Sequence, residues 1–534
     1  MKEEIAQLDR HNCIEDCILE LFSSSDRALS IEREIDAIAE EFLRRDRIST
    51  NLDLGSIVEQ FRESQISAET SDLSSYLKDL TENVVLHSIN TYSPRYIGHM
   101  TSALPYFVRP LGKLMTALNQ NVVKMETSKS FSLLERQVLG TIHRSIYDFA
   151  EDFYQTHIQK NESTLGVLTT GGTLANLTAL WCARNFVLGS KEGFTGIENE
   201  GLTAAFNAYG CEGAAIIGSQ LMHYSFDKAA GLLGIGEKSL IKLPVDRDRR
   251  LNLSALRQAI QTCRDRGQRI IALVGIAGTT DCGAIDPLLE MAEIAQEANI
   301  HFHVDAAWGG PVIFSPQHRE KLAGIEMADS VTIDGHKQLY LPMGIGMVLF
   351  RNPYLAKNIE KCAPYTIRKD SIDLGKRALE GSRPGMVLFL QAALKIIGKK
   401  GYEFLIDEGI RKARYMADCI RKQAEFELLV APEINILLYR YIPQPWRQKV
   451  AAGQITELDN QKLDRFNECL QSLQLQTGRT FVSRTTIEID GRPTIALRAV
   501  LANPLTTESD IDAVLEDQLK IAAQIPTNDE EVCR

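Results

Sequence analysis

Five short segments carry residues that could do chemistry together: TTGGTLAN at 169–176, MHYS at 222–225, GTTDCG at 278–283, HVDAAWGG at 303–310 and DGHK at 334–337. Each follows a β-rich run, and in an open α/β sheet a ligand lies beyond the carboxyl ends of the strands. TTGGTLAN leads into the apolar helical run LTALWCARN, so Gly172 and Thr173 stand where free backbone N–H groups and the helix dipole favour an anion such as phosphate. A Gly-Gly turn before a helix also serves as a turn and nothing more. Asp305 ends a strand beside the small residues Ala306 and Ala307; its carboxylate either faces a protonated ring nitrogen or caps the next helix. Lys337, next to His336, is either a partly desolvated amine able to attack an aldehyde or a surface lysine. His223 is either an aromatic plate against a ring or a satisfied polar residue at a strand end. Singly, the plainer reading holds for each. Together, a glycine turn, His, Thr, Asp and Lys at successive strand ends of one sheet are not five accidents.

The elements that must position them are legible. Over 1–90 apolar residues recur at helical spacing between charges, as in IEREIDAIAEEFLRR at 31–45, which predicts a helical N-terminal segment. Between about 160 and 350, β-rich runs (GAAIIGS, RIIALVGIAG, IHFHVDAA, DSVTIDG, GMVLFR) alternate with stretches long enough for helices. That alternation predicts an α/β fold with a mainly parallel sheet covered on both faces. The expected division is 1–90 helical, 91–384 a large ligand-binding domain and 385–534 a small α+β domain. No repeat or low-complexity linker marks a detached module.

Composition narrows the function. A net charge of −11 and a pI near 5.6 argue against nucleic acid, which needs a basic face. Ten cysteines without CxxC pairs read as reduced thiols. The N-terminus lacks a secretion signal and no apolar run reaches membrane-spanning length, so the expectation is a soluble, cytoplasmic protein without a membrane partner.

HVDAAWGG and DGHK, with the upstream TGGT and His, resemble the ordered motifs of the pyridoxal-phosphate-dependent group II decarboxylases, which include glutamate, cysteine-sulfinate and aromatic amino-acid decarboxylases. The resemblance runs from NTYSPRYIGHM at 90–100 to LRAVLANP at 497–504. It implies fold type I, the architecture of aspartate aminotransferase, with pyridoxal 5'-phosphate as cofactor, and a homodimer with the site near the interface. Lys337 is similar to the lysine that carries the cofactor as a Schiff base, and His336 to its phosphate-side neighbour. Asp305 resembles the partner of the ring nitrogen; Ala307 packs under the ring and His223 stacks above it. Gly172 and Thr173 resemble the phosphate turn, and Thr279 the residue near the ring hydroxyl. Tyr365, in CAPYTIRKD, matches the tyrosine that protonates the substrate α-carbon. Arg498, in ALRAVLANP, matches the arginine that holds a substrate carboxylate.

Two departures bear on substrate and cofactor. The turn reads Asp334-Gly335-His336-Lys337 where the family often has Asn-Pro-His-Lys, so Asp334 replaces a phosphate-contacting amide. The segment SPRYIGHM, with Gly98-His99-Met100, implies a rebuilt side-chain pocket. YIGHMTSALP and DGHKQLYLP are most similar to the bacterial pyridoxal-dependent aspartate 1-decarboxylases, which make β-alanine for pantothenate. The resemblance thus implies α-decarboxylation of an acidic amino acid, L-aspartate first and glutamate as the alternative, with Arg498 or His99 pairing the side-chain carboxylate. The rival from another class is a metal-dependent hydrolase, since His301, His303 and Asp305 alternate along one strand. A binding protein without catalysis is a third reading.

Overall fold

The computed structural model describes residues 18, 19, 21, 22, 26–68, 70–363 and 371–526. The chain divides into two compact units, Met1–Ser93 with Leu475–Arg479, and Pro94–Gln474 with Thr480–Arg534.

The described residues of the first unit include three amphipathic helices. Its helices Asp26–Leu43, Leu54–Gln60 and Leu73–Leu80 follow the amphipathic runs. Asp53 and Asp72 open the second and third by accepting the Ser56 and Ser75 N–H groups at 3.0 and 3.2 Å. Ile48 is buried, and its N–H and C=O pair with Gly478 and Asn90 at 2.7 and 2.8 Å.

The second unit is built on a seven-stranded sheet: β1 Gly166–Thr169, β2 Gly213–Ser219, β3 Leu240–Leu243, β4 Gln268–Ile276, β5 Phe302–Asp305, β6 Ser330–Asp334 and β7 Gly346–Phe350. The spatial order is β1-β7-β6-β5-β4-β2-β3. Strands β3, β2, β4, β5 and β6 run parallel, and β7 is antiparallel to both its neighbours. Every residue of β5, β6 and β7 is buried. Helices cover both faces, which is why these strands read as near-continuous apolar runs instead of alternating. The helix Gly172–Val187 lies in that cover, its Ala175, Ala179, Leu180 and Ala183 fully buried.

A second, antiparallel sheet of four strands follows: β8 Phe426–Val430, β9 Ile436–Tyr441, β10 Ser483–Ile489 and β11 Arg492–Val500, in the order β10-β11-β9-β8. Met416, Leu437, Tyr439, Leu497 and Val514 join it to the helices Gly398–Arg421 and Glu508–Ala522 in one core. The segment after Pro94 is sewn to this sheet: Tyr96 stacks on Phe481 at 5.1 Å, and Ile97 takes the Val500 N–H. A Cβ on Gly98 would overlap the Ser483 backbone, so only glycine permits the approach that brings His99 beside β11.

No helix among the described residues is long and apolar enough to cross a membrane. Cys182, Cys211, Cys263, Cys282, Cys362 and Cys419 are free.

Candidate active site

The carboxyl ends of β1, β2, β4, β5 and β6 open on a cavity of about 430 Å³. Gly172, Thr173, His223, Asp305, Ala307, Asp334, His336 and Lys337 line it, and His99 joins them from the segment beside β11.

At one end, Gly171 precedes the helix Gly172–Val187, and no side chain caps its first turn. A Cβ on Gly172 would sit 2.8 Å from Asp334 Oδ2 and 3.3 Å from Ala307 Cβ. The missing side chain keeps this corner clear, and first-turn N–H groups without a cap are anion donors.

Beside this corner lies the turn carrying Lys337. Gly335 N–H donates to the Ile345 carbonyl at 2.9 Å, and His336 Nδ1–H donates to the same oxygen at 3.0 Å. Lys337 Nζ is 2.9 Å from Asp334 Oδ2, and His336 Nε2 is 3.8 Å from that oxygen. Asp334 Oδ1 is buried without a hydrogen-bond partner. Tyr340 closes the turn with φ +57°, a left-handed conformation costly for a residue with a Cβ. Its hydroxyl donates to the Ala502 carbonyl at 2.9 Å and its N–H to the Lys337 carbonyl at 3.1 Å, so packing holds the strain in place. The Lys337 side chain is 19% exposed: reachable from the cavity, yet largely desolvated.

Asp305 does not cap the helix that follows, which opens on Gly309 without a side-chain cap. Oδ1 accepts the Ala307 N–H at 3.1 Å, and Oδ2 accepts an Asn176 Nδ2–H at 2.9 Å. A carboxylate has about four lone-pair sites, so acceptor capacity is left for a cation in the cavity. His223 accepts the Ser225 N–H on Nδ1 at 3.2 Å, which leaves the proton of the neutral ring on Nε2. Burial holds His223 below the usual imidazole range; Asp305 pulls it upward and Lys337 downward.

Two expected residues, Thr279 and Arg498, fall elsewhere. Thr279 does not face the cavity. Its hydroxyl accepts the Ala284 N–H at 3.1 Å and lies 3.2 Å from Cys282 Sγ, inside its own turn, while Thr280 lines the wall. Arg498 lies one layer behind that wall. Its Nε donates to the Thr280 and Asp281 carbonyls at 2.9 and 3.2 Å, and Nη1 to the Gly98 carbonyl at 3.2 Å. Its Nη2 is buried and has no partner. Tyr365 lies outside the described residues.

Asn176 was not singled out from the sequence. The signal was present: it lies one helical turn after Gly172 in TTGGTLAN, hence on the same helix face. The metal-ligand reading of His301 and His303 meets a different arrangement. Both rings bond Ser330 Oγ at 2.9 Å, and His303 Nε2 faces Asn176 Oδ1 at 3.1 Å. Among the described residues no group of three or more His, Cys, Asp or Glu side chains is arranged to hold a metal ion.

A desolvated amine, a carboxylate with spare lone pairs and an uncapped helix turn cleared by glycine thus open on one cavity. That donor set fits a molecule combining an aldehyde, a basic ring nitrogen and a phosphate.

Comparison with known proteins agrees. The family described as "Pyridoxal-dependent decarboxylase conserved domain" matches residues 58–442. An aspartate 1-decarboxylase of Aliivibrio fischeri is 45% identical over 502 residues, covering 92% of this chain and 91% of that protein. An L-aspartate decarboxylase of Metarhizium robertsii is 31% identical over 363 residues, 66% of this chain and 67% of that one. The fold is shared with a crystal structure of mouse CSAD, with TM-score 0.82 at 24% identity, covering 93% of this chain and 99% of that one.

Proposed function

This chain belongs to the pyridoxal-dependent decarboxylase family, and on that premise we propose that it removes the α-carboxyl group of L-aspartate, giving β-alanine and CO2. It is a carboxy-lyase that uses pyridoxal 5'-phosphate. The observation that carries the choice of substrate is Arg498. A buried guanidinium with an unpartnered Nη2 lies directly behind Thr280 and next to Gly98, whose neighbour His99 lines the cavity. Nε and Nη1 are bonded to neutral oxygens and Nη2 to none, so the buried charge is incompletely compensated, and a second carboxylate on a substrate beyond Thr280 would lower that cost through its field. The 45% identity to an aspartate 1-decarboxylase supports the same reading.

The cofactor, when bound, supplies an electron sink for the pair released as CO2 departs. Lys337 would hold it covalently, Asp305 would keep a proton on its ring nitrogen, and Gly172 and Thr173 would seat its phosphate. Ala307 and His223 would flank its ring. His99 at the rim would meet the side-chain carboxylate, with the Arg498 charge behind Thr280 attracting it, and so leave the α-carboxylate as the group to be expelled. His223, with its proton on Nε2, would give that proton to the α-carbon. Tyr365 is the other proposed donor, on the sequence resemblance alone. A homodimer, a cytoplasmic location and supply of β-alanine to pantothenate are further parts of the proposal that rest on the family resemblance.

The test is to incubate the holoenzyme separately with aspartate, glutamate, cysteine sulfinate and tyrosine, and to identify the amine formed. β-Alanine is expected to predominate; faster formation of γ-aminobutyrate would overturn the aspartate assignment.

A further inference from the structure

We propose that His303 is a positioning residue which, through Asn176, holds Asp305 as an ionised acceptor toward the ring nitrogen of the cofactor; this rests on the role given to Asp305 above. The hydrogen bonds behind Asp305 form a chain with one self-consistent direction. Asn176 Nδ2 has two protons, and both are used: one on Asp305 Oδ2 at 2.9 Å, the other on Ser225 Oγ at 3.1 Å. Asn176 Oδ1 is therefore the atom presented to His303 Nε2, so that nitrogen carries a proton. In a neutral ring Nδ1 is then a pure acceptor, filled by the Ser330 hydroxyl at 2.9 Å. With its proton spent, Ser330 Oγ accepts the Nε2–H of His301 at 2.9 Å. Every donor points toward Asp305, and such chains polarise one another.

The opposite direction has a specific penalty. If His303 carried its proton on Nδ1, its Nε2 lone pair would face Asn176, and the amide would have to turn its NH2 group inward. Asn176 Oδ1 would then oppose Asp305 Oδ2, oxygen against oxygen, an arrangement stable only if Asp305 had itself taken up a proton. The tautomer of His303 and the charge of Asp305 are therefore coupled. His303 and Ser330 are 0% exposed and Asn176 is 1% exposed, so water cannot replace a missing member. The titratable groups facing His303 are Asp305 and His301, with the Phe226 ring 6.0 Å away. Burial takes His303 down to about 4, which leaves the ring neutral at physiological pH. The amide breaks any path for proton conduction, so the chain orients and does not relay.

The experiment uses holoenzyme reconstituted with pyridoxal phosphate labelled with 15N at the ring, and reads that nitrogen's chemical shift alongside steady-state kinetics. Wild type is expected to show a protonated ring nitrogen. His303→Phe is expected to shift it toward the unprotonated value and to lower kcat by roughly 10–100-fold, while KM moves by no more than about threefold. His303→Gln, whose amide can still donate to Asn176, is expected to restore most of both. Ser330→Ala removes the tautomer lock with little change in volume. It is expected to give an intermediate shift, and it decides the matter should His303→Phe fail to fold. Folded variants with the wild-type shift overturn the proposal and leave the assignment of Asp305 standing. An unprotonated ring in wild type overturns both.

Discussion

Lys337 Nζ lies 2.9 Å from Asp334 Oδ2 across a turn that only Gly335 and His336 separate, so the reactive amine and its counter-ion come from one short segment. The strained Tyr340 and the Ile345 carbonyl fix that segment. Lys337→Ala should therefore remove covalent attachment without unfolding the chain. Borohydride treatment of wild-type holoenzyme is expected to tag the peptide containing Lys337, and the variant is expected to lose both the tag and the long-wavelength absorbance of the bound cofactor. A variant that is still tagged would move the attachment point elsewhere.

Gly172→Ala would place a methyl group 2.8 Å from Asp334 Oδ2 in the corner that the phosphate needs. Cofactor affinity, measured by titrating apoenzyme, is expected to fall by about tenfold or more, equivalent to about 1.4 kcal/mol. Thermal unfolding of the apoenzyme should change far less.

Arg498→Met deletes the unpartnered Nη2 and leaves the Gly98, Thr280 and Asp281 carbonyls without their donor. For aspartate, kcat/KM is expected to fall by roughly 100-fold, since truncating one side of a buried charge pair costs a few kcal/mol. For an uncharged analogue the loss should be much smaller. Equal losses on both substrates would mean that Arg498 only braces the wall.

Arg383 and Glu135 are both almost fully buried and form a bidentate pair, with Nη1 2.7 Å from Oε2 and Nη2 on Oε1. Arg383→Ala strands the carboxylate. The expected destabilisation is about 3–5 kcal/mol in denaturant unfolding, with the cofactor site otherwise intact.

Acid should destabilise the fold through His143 and His303, both brought down to about 4 by burial. Below about pH 6.5 the unfolded chain binds protons that these folded rings refuse, so stability rises with pH between about 4 and 6.5 and is level above. His143→Gln is expected to flatten part of that slope in unfolding free energy measured across the range. An unchanged slope would show that other groups govern it.

The positions of Lys337, Asp305, His223 and Gly172 at strand ends were legible in the sequence for a definite reason. Parallel strands buried on both faces appear as unbroken apolar runs, and the polar residue that ends each run must emerge at the ligand side. The mainly parallel direction was legible in the alternation of these runs with stretches long enough for helices. The antiparallel insertion of β7 between β1 and β6 was not, because GMVLFR is equally apolar in either sense.

What only the tertiary structure decided concerns contacts between residues far apart in the chain. Whether the Thr279 hydroxyl met the cavity or its own turn depended on how GTTDCG closes, and Thr280 took the wall. His301 and His303 looked like metal ligands because alternation along a strand says which side a ring faces, not which atom it meets. In the fold they meet Ser330 and Asn176, supplied by β6 and by a helix more than a hundred residues earlier. The sequence by itself determined the chemistry available at the sheet's edge. The hydrogen-bond directions that hold Asp305, and the buried arginine behind Thr280, exist only once the elements pack and exclude the water that would otherwise satisfy each group.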